Sequence, residues 1–472
     1  MGLVFTILFI VATYVSPASY FPELVAYRPS LVLGAFALFF SIPGILANKP
    51  WKLLQSYLWI GILAMAAISQ IVNGWFGGAL IATNDFIIQG MVFFLVVANC
   101  STINRLKLLS GIICAVFIAT IYVGSIAYWA QSHTSNFIIW QGVAEDSLGN
   151  AILLPRLRAL GTVNDPNDFA QALAVCIALL FLWYKPRKRL TNICFVLLPA
   201  AYLFYGMILT HSRGSLVALM VLLLVTLRKR MGTIGATILS GGAAVGLLVL
   251  GFTGGRAIGA AEGADRMSAW GEGLMMFKHK PIFGVGYGAF TEHYQLTAHN
   301  SFVLCFTELG FLGYFCWLGM IVCGFLGLRW VLARNKPIAL MKEEPSDAAM
   351  SMAAAYGGSG PVLLQDPATK DISDMDDDER RQFKQDRDLE NAAGVVQAAL
   401  IAFLTCAWFL SRSYVMTLYI LLGMSASIVL MGMRRDPERL FVPLKKLVRF
   451  TVIAEFASIA FVYLLVRSGH VL

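Results

Sequence analysis

Long apolar runs separated by short polar hinges dominate the chain. Thirteen stretches read as membrane spans, near 1–16, 30–47, 53–73, 77–98, 108–129, 166–184, 191–210, 214–227, 233–252, 300–328, 394–411, 414–432 and 450–466. A helix needs about 20 mainly apolar residues to cross the hydrocarbon core, and the first and eighth stretches are short. The pattern therefore predicts an all-α fold, a polytopic transmembrane bundle of about 12–13 helices. Two polar intervals on one side are long, 130–165 and 253–299. In the second, a helix from Arg256 to Lys278 would set Met267, Trp270, Leu274 and Phe277 on one face and lie along the membrane surface.

The expected organisation has three parts: 1–340 with helices 1–10 and both long loops, an insert over 341–392, and 393–472 with helices 11–13. Within the insert, residues 341–391 carry 13 of the 27 acidic residues against 6 basic ones. That composition predicts a largely unstructured, solvated segment with helix over 375–390, a tolerated linker or a docking segment.

Composition agrees with lipid as the main solvent: 58% of the 472 residues are hydrophobic and 13% are charged. The N-terminal stretch lacks a basic leader and a small-residue cleavage site, so it reads as a retained first helix. Lys49 and Lys52, Arg105 and Lys107, "KPRKR" at 185–189, "RKR" at 228–230, Arg329, Arg334 and Lys336, and the cluster from Arg434 to Arg449 fall in alternate loops. Basic short loops stay in the cytoplasm, which puts the N-terminus inside and the two long loops outside. The net charge of +9 reflects this topology and implies no nucleic-acid partner. All eight cysteines lie in or at the ends of apolar runs and read as packing residues.

Against that charge rule, Arg156, Arg158, Arg213, Arg256, Arg266 and Arg412 occupy the outer side. A guanidinium offers a planar fork of donors suited to phosphate oxygens, so several converging on one cavity would hold a diphosphate at the membrane surface. Snorkelling to headgroups is the plain alternative, and Arg28 and Arg467 fit it. "TVNDPNDFA" starts the sixth helix with Asp165 at the N-cap position and Pro166 after it; Asp165, Asn167 or Asp168 could also orient an arginine or a sugar hydroxyl. All six histidines fall on the outer side, and the spacing in "EHYQLTAH" matches no metal site, so none is expected. "GVGYG" at 284–288 follows no strand, which points to a sharp turn more than to a phosphate loop. The intramembrane acids are Asp85, Glu308 and Glu455; Glu308 stands nine residues after His299, half a turn out of phase on a regular helix, and reads as fixing helix packing or a buried hydrogen bond.

"HSRGS" opening a helix, Arg266-x-x-x-Trp270, "PIFGVGYGAF" and "AHNSFVLCFTELGFLGYF", in that order over about 115 residues, resemble the bacterial O-antigen ligase and polymerase family of membrane glycan transferases. "RLRALGTVNDPNDFA" is similar to sequences of the same family; the acidic insert is not an expected feature of it. The resemblance implies a glycosyltransferase at the periplasmic face of the inner membrane, with no cofactor or metal. Its partners would be a glycan donor on undecaprenyl diphosphate and a glycan or lipid-linked acceptor, with a chain-length regulator if it is a polymerase. Polymerisation of lipid-linked repeat units is the first reading and ligation to a lipid A core the second. Transfer to protein and a lipid-linked-glycan flippase or transporter follow. The catalytic roles would fall to His299, Arg213 and Arg266. Substrate binding would fall to Arg156, Arg158, His211, Arg256, Asp165, Asn167 and Asn300.

Overall fold

A computed structural model describes residues 1–145, 151–252, 260–333, 376–437 and 442–469. The expected roles of Arg256 and of residues 341–375 lie outside them. The helices are α1 (Gly2–Val15), α2 (Pro29–Asn48), α3 (Leu54–Val72), α4 (Phe76–Gly90), α5 (Val92–Asn99), α6 (Ile103–Trp129), α7 (Pro166–Leu180), α8 (Leu198–Thr210), α9 (Arg213–Val249), α10 (Ala260–His279), α11 (Ser301–Leu332), α12 (Asp377–Ala407), α13 (Met416–Arg435) and α14 (Leu444–Ser468). Twelve helical stretches among the described residues are long and apolar enough to cross a membrane, with α4 and α5 forming one of them.

The doubtful eighth span is settled by α9. Its 37 residues would make a straight rod of roughly 55 Å at 1.5 Å per residue. Yet the imidazole of His211, just before its start, donates from Nδ1 to the Phe252 carbonyl just after its end, at 3.1 Å. The two ends therefore meet. The reversal sits at Gly232, whose φ of 72° and ψ of 172° fall in a region essentially confined to glycine. One uninterrupted element thus supplies two arms, Arg213 to Met231 and Thr233 to Val249, the second of which is among the twelve apolar stretches.

Helices α7 and α13 form the centre: 83% and 94% of their apolar windows are buried inside the protein, against 11% for the second arm of α9 and 17% for α2, which face outward. Within lipid, apolar surface alone does not drive helices together, so close approach and polar bonds do the work. Asn99 on α5 donates to Ser41 (2.7 Å) and Thr6 (3.1 Å) on two neighbouring helices. Gln55 on α3 reaches the Met320 carbonyl of α11 at 3.3 Å.

The bundle has two distinct ends. At one, the basic loops are tied down by Arg105 donating to the Asn99 carbonyl (3.0 Å), Arg434 to Asn48 (2.5 Å) and Arg435 to Asp386 (2.5 Å). The last of these involves residues assigned to the polar insert. From Asp377 onward that segment is the start of α12, opened by a capping box between Asp376 and Glu379 and continuous with the apolar span.

The opposite end carries the long loops, and both contain structure that apolar periodicity does not announce. The first holds an antiparallel hairpin of β1 (Ile138–Glu145) and β2 (Ala151–Leu157), pairing Ile139 with Arg156 and Gln141 with Leu154. The second holds α10, with the expected apolar face but a different neighbour. Gly273 lets α10 lie directly on α11, where a Cβ would come 2.7 Å from Val303. Phe277 packs on Phe306, and the Trp270 indole donates to the Ala298 carbonyl at 2.8 Å. The apolar face that predicted a surface helix is thus covered by protein instead of lipid.

Candidate functional site

Three helices begin around one cleft at the end of the bundle opposite the basic loops. Asp165 accepts from the Asn167 amide at 2.8 Å and caps α7, with Pro166 in the first helical position. Asn300 accepts from the amides of Phe302 (2.9 Å) and Val303 (3.2 Å) and caps α11. His211 takes a left-handed φ of 51° that ends α8, so that Ser212 and Arg213 can start α9 in a new direction. Each helix start carries partial positive charge on unbonded amides, so their convergence favours an anion.

The cleft consists of cavities that share walls. A narrow one of about 40 Å³ is lined by Asn167, Arg213, Arg266 and Leu410, among others. A second, of about 310 Å³, also has Asn167 and Leu410 in its wall and adds Asp165, Asp168, His299, Glu308 and Arg412. A third, of about 330 Å³, shares Leu304, Ser411 and Arg412 with the second. Two helix starts and α10 therefore bring Arg213 and Arg266 to one pocket, with His299 in the next.

The other expected residues have structural partners. Arg156 is buried and uses its whole fork: Nε donates to the Thr210 carbonyl (2.8 Å), one terminal nitrogen to Gln141 (2.7 Å) and the other to Asn167 (2.9 Å). It braces the hairpin, the end of α8 and the start of α7, and so fixes Asn167 in the pocket wall. Gln141 lies two residues from Ile139, the partner of Arg156, and thus on the same face of the hairpin. Arg158 donates to the Asn136 carbonyl at 2.9 Å, within its own loop. His211 uses both ring nitrogens, Nδ1 toward Phe252 and Nε2 toward the Tyr128 hydroxyl at 2.9 Å. Neither Arg158 nor His211 lines the cavities that hold Arg213, Arg266 and His299.

Two further features complete the cleft, and the first joins an arginine and an acid that the sequence offered separately. Arg412 forms an ion pair with Asp168, whose side chain is 5% exposed. Burial works against the Arg412 charge, but Asp168, with Asp165 behind it, more than compensates and raises its pKa. The loop bearing Arg412 is bolted to the start of α11: Ser301 donates to the Leu410 carbonyl (2.6 Å), the Arg412 amide to Ser301 (2.9 Å), and Ser413 to the Ser301 carbonyl (2.6 Å).

Glu308 is the other. The half-turn offset expected between His299 and Glu308 does not apply, because His299 has a left-handed φ of 46° and precedes the cap of α11. Glu308 instead shares a helical face with Leu304, one turn above it, and both line the second cavity. Its Oε1 accepts from the Phe290 amide at 3.4 Å.

The glycine-rich stretch holds this floor in place. Gly310 (φ 64°, ψ −168°) breaks α11, and the backbone groups released there pair with the loop. Val285 and Gly286 donate to the carbonyls of Thr307 (2.9 Å) and Glu308 (3.0 Å), and Phe311 donates to that of Pro281 (2.7 Å). The sharp turn expected of "GVGYG" is present, with left-handed φ at Gly284, Gly286 and Gly288, and it plugs the break in α11.

No curated protein matches the chain. Residues 198–318 match the family model described as O-antigen ligase. That segment runs from α8 into α11 and contains Arg213, Arg266, His299 and Glu308, so the likeness to that family covers the part of the chain that forms the cleft.

Proposed function

We propose that the protein transfers a glycan from undecaprenyl diphosphate to a sugar hydroxyl at the periplasmic face of the inner membrane, joining lipid-linked repeat units. The observation that carries this reading is the placement of Arg213 and Arg266 in one pocket at the start of α9, next to the cavity that holds His299. The acceptor hydroxyl oxygen attacks the anomeric carbon and a new C–O bond forms. The bond from that carbon to the phosphate oxygen breaks, and its electron pair leaves on the diphosphate. The hydroxyl proton passes to the His299 imidazole and then to water. Arg213, Arg266 and the first amides of α9 stabilise the leaving charge, which fixed donors in a water-poor cleft do well. In this reading the arginines serve where other transferases use a divalent cation. Basic loops at the opposite end support the periplasmic assignment.

Ligation onto a lipid A core is the second reading, favoured by the description of the matched family. The test is a purified, nanodisc-embedded enzyme given lipid-linked donor, with lipid-linked repeat unit or lipid A core as acceptor. Longer lipid-linked chains support the polymerase, and glycan on the core supports the ligase. His299→Ala should lose turnover by about 100-fold while donor binding persists. A wild-type enzyme that makes neither product, or a variant that keeps most of its turnover, would overturn the assignment or the role of His299 respectively.

A further inference from the structure

We propose that the third cavity is the subsite for the acceptor's sugar, which rests on the transferase reading above and gives it an address for the acceptor. Its wall includes Asp85, Gln89, Thr162, Tyr287, Arg412 and Tyr414.

Asp85 is the first reason. It lies inside the apolar span Phe76–Asn99, where an ionisable side chain is costly and generally functional. Among the described residues it has no ion pair or hydrogen bond, and it is exposed where it lines this cavity. The Thr162 hydroxyl in the same wall is buried and also without a partner. Beside them the rings of Tyr287 and Tyr414 lie 4.6 Å apart at 30°. Aromatic faces beside a carboxylate, an amide and a hydroxyl match a sugar, whose C–H face packs on rings while its hydroxyls donate to oxygen acceptors. The volume of about 330 Å³ is at the low end of small-ligand pockets, about 300–1,000 Å³.

Charge argues against a second phosphate site. The cation in this wall, Arg412, is already paired with Asp168, and Asp85 would repel an anion. The narrow pocket, by contrast, brings two arginines, Arg213 and Arg266, to one wall.

The order of the cavities assigns the sugar to the acceptor. The arginine pocket adjoins the His299 cavity through Asn167 and Leu410, and the third cavity adjoins the His299 cavity through Leu304, Ser411 and Arg412. With the diphosphate at one end and the reacting carbon by His299, a nucleophile arriving opposite the leaving group comes from the third cavity. Beyond it, across Ile88, a space of about 380 Å³ bordered by Ser16, Arg28 and Pro29 gives the rest of the acceptor room at the outer ends of α1 and α2.

The test titrates the repeat-unit oligosaccharide, released from its lipid by mild acid, as acceptor at saturating donor. Asp85→Asn and Thr162→Val should each raise the half-saturating acceptor concentration, Asp85→Asn by about tenfold or more. Saturating rate and donor binding should stay within about twofold of wild type. Arg213→Ala should show the reverse, with weaker donor binding and unchanged acceptor dependence. Unchanged acceptor dependence in Asp85→Asn, with an active wild type, overturns the subsite and leaves the transferase reading intact. If the wild type proves inactive with the donor, the transferase reading falls, and saturation-transfer NMR of the same oligosaccharide decides the subsite separately. Signal lost in Asp85→Asn supports it, and equal signal in both proteins overturns it.

Discussion

Arg213 and Arg412 both sit at the outer ends of spans, yet their surroundings assign them different work. Arg412 is committed to Asp168, which the sequence offered to orient an arginine without showing which one, because the partners lie far apart in the chain. Arg213 heads α9 in the wall shared with Arg266 and was legible from "HSRGS" alone. If Arg213 holds phosphate through its fork, Arg213→Lys should impair transfer nearly as much as Arg213→Ala, since an ammonium keeps the charge and loses the planar geometry. Wild-type rates in the lysine variant would reduce Arg213 to a headgroup anchor. The Asp168 pair makes a different prediction. Breaking a fully buried pair costs about 3–5 kcal/mol, and with the Arg412 side chain 34% exposed, Asp168→Asn should cost about 2 kcal/mol, read as a lower melting temperature. Adding Arg412→Gln should restore most of that stability, because no charge is then stranded. A double variant that melts as low as the single one would show that the ion pair is not what Asp168 contributes.

At the scale of elements, apolar runs made the spans legible because lipid forces backbone groups to bond within each helix. What escaped were features set by tertiary contact: the hairpin braced by Arg156, the burial of α10 against α11, and the break at Gly310 that brings Glu308 into the cavity floor under a plugging loop. Gly232 and Gly310 test that distinction. Both adopt backbone angles that side chains avoid, at a cost of about 1–3 kcal/mol. A Cβ on Gly232 meets nothing within 4 Å, whereas one on Gly310 would come within 2.4 Å of the Ile282 backbone. Gly310→Ala should therefore cut the yield of folded protein severely, and Gly232→Ala should lower the melting temperature by several degrees and keep transfer. Equal damage from the two would mean that strain at the turn, and not the plug, governs both positions.

The whole molecule turns on the number of crossings, because it decides on which side each loop lies. Counting one span per helix gives twelve and would put both chain ends on the same face. The contact between His211 and Phe252 folds α9 into two arms; if both arms cross, the count becomes thirteen and Gly2 and Ser468 fall on opposite faces. It also places the segment around Arg228 with the basic loops, and 260–299 with Arg213 and His299. Fusions to a reporter fluorescent only in the cytoplasm and to a phosphatase active only outside separate the two counts. Fusions after residues 230 and 336 should fluoresce, and those after residues 252 and 472 should show phosphatase activity. A fluorescent fusion at residue 472, with residue 252 still outside, would remove one of the later crossings and spare the cleft. Fluorescence at residue 252 would be graver: it would put Phe252 and His211 on opposite sides of the membrane, and the outer cleft could not assemble.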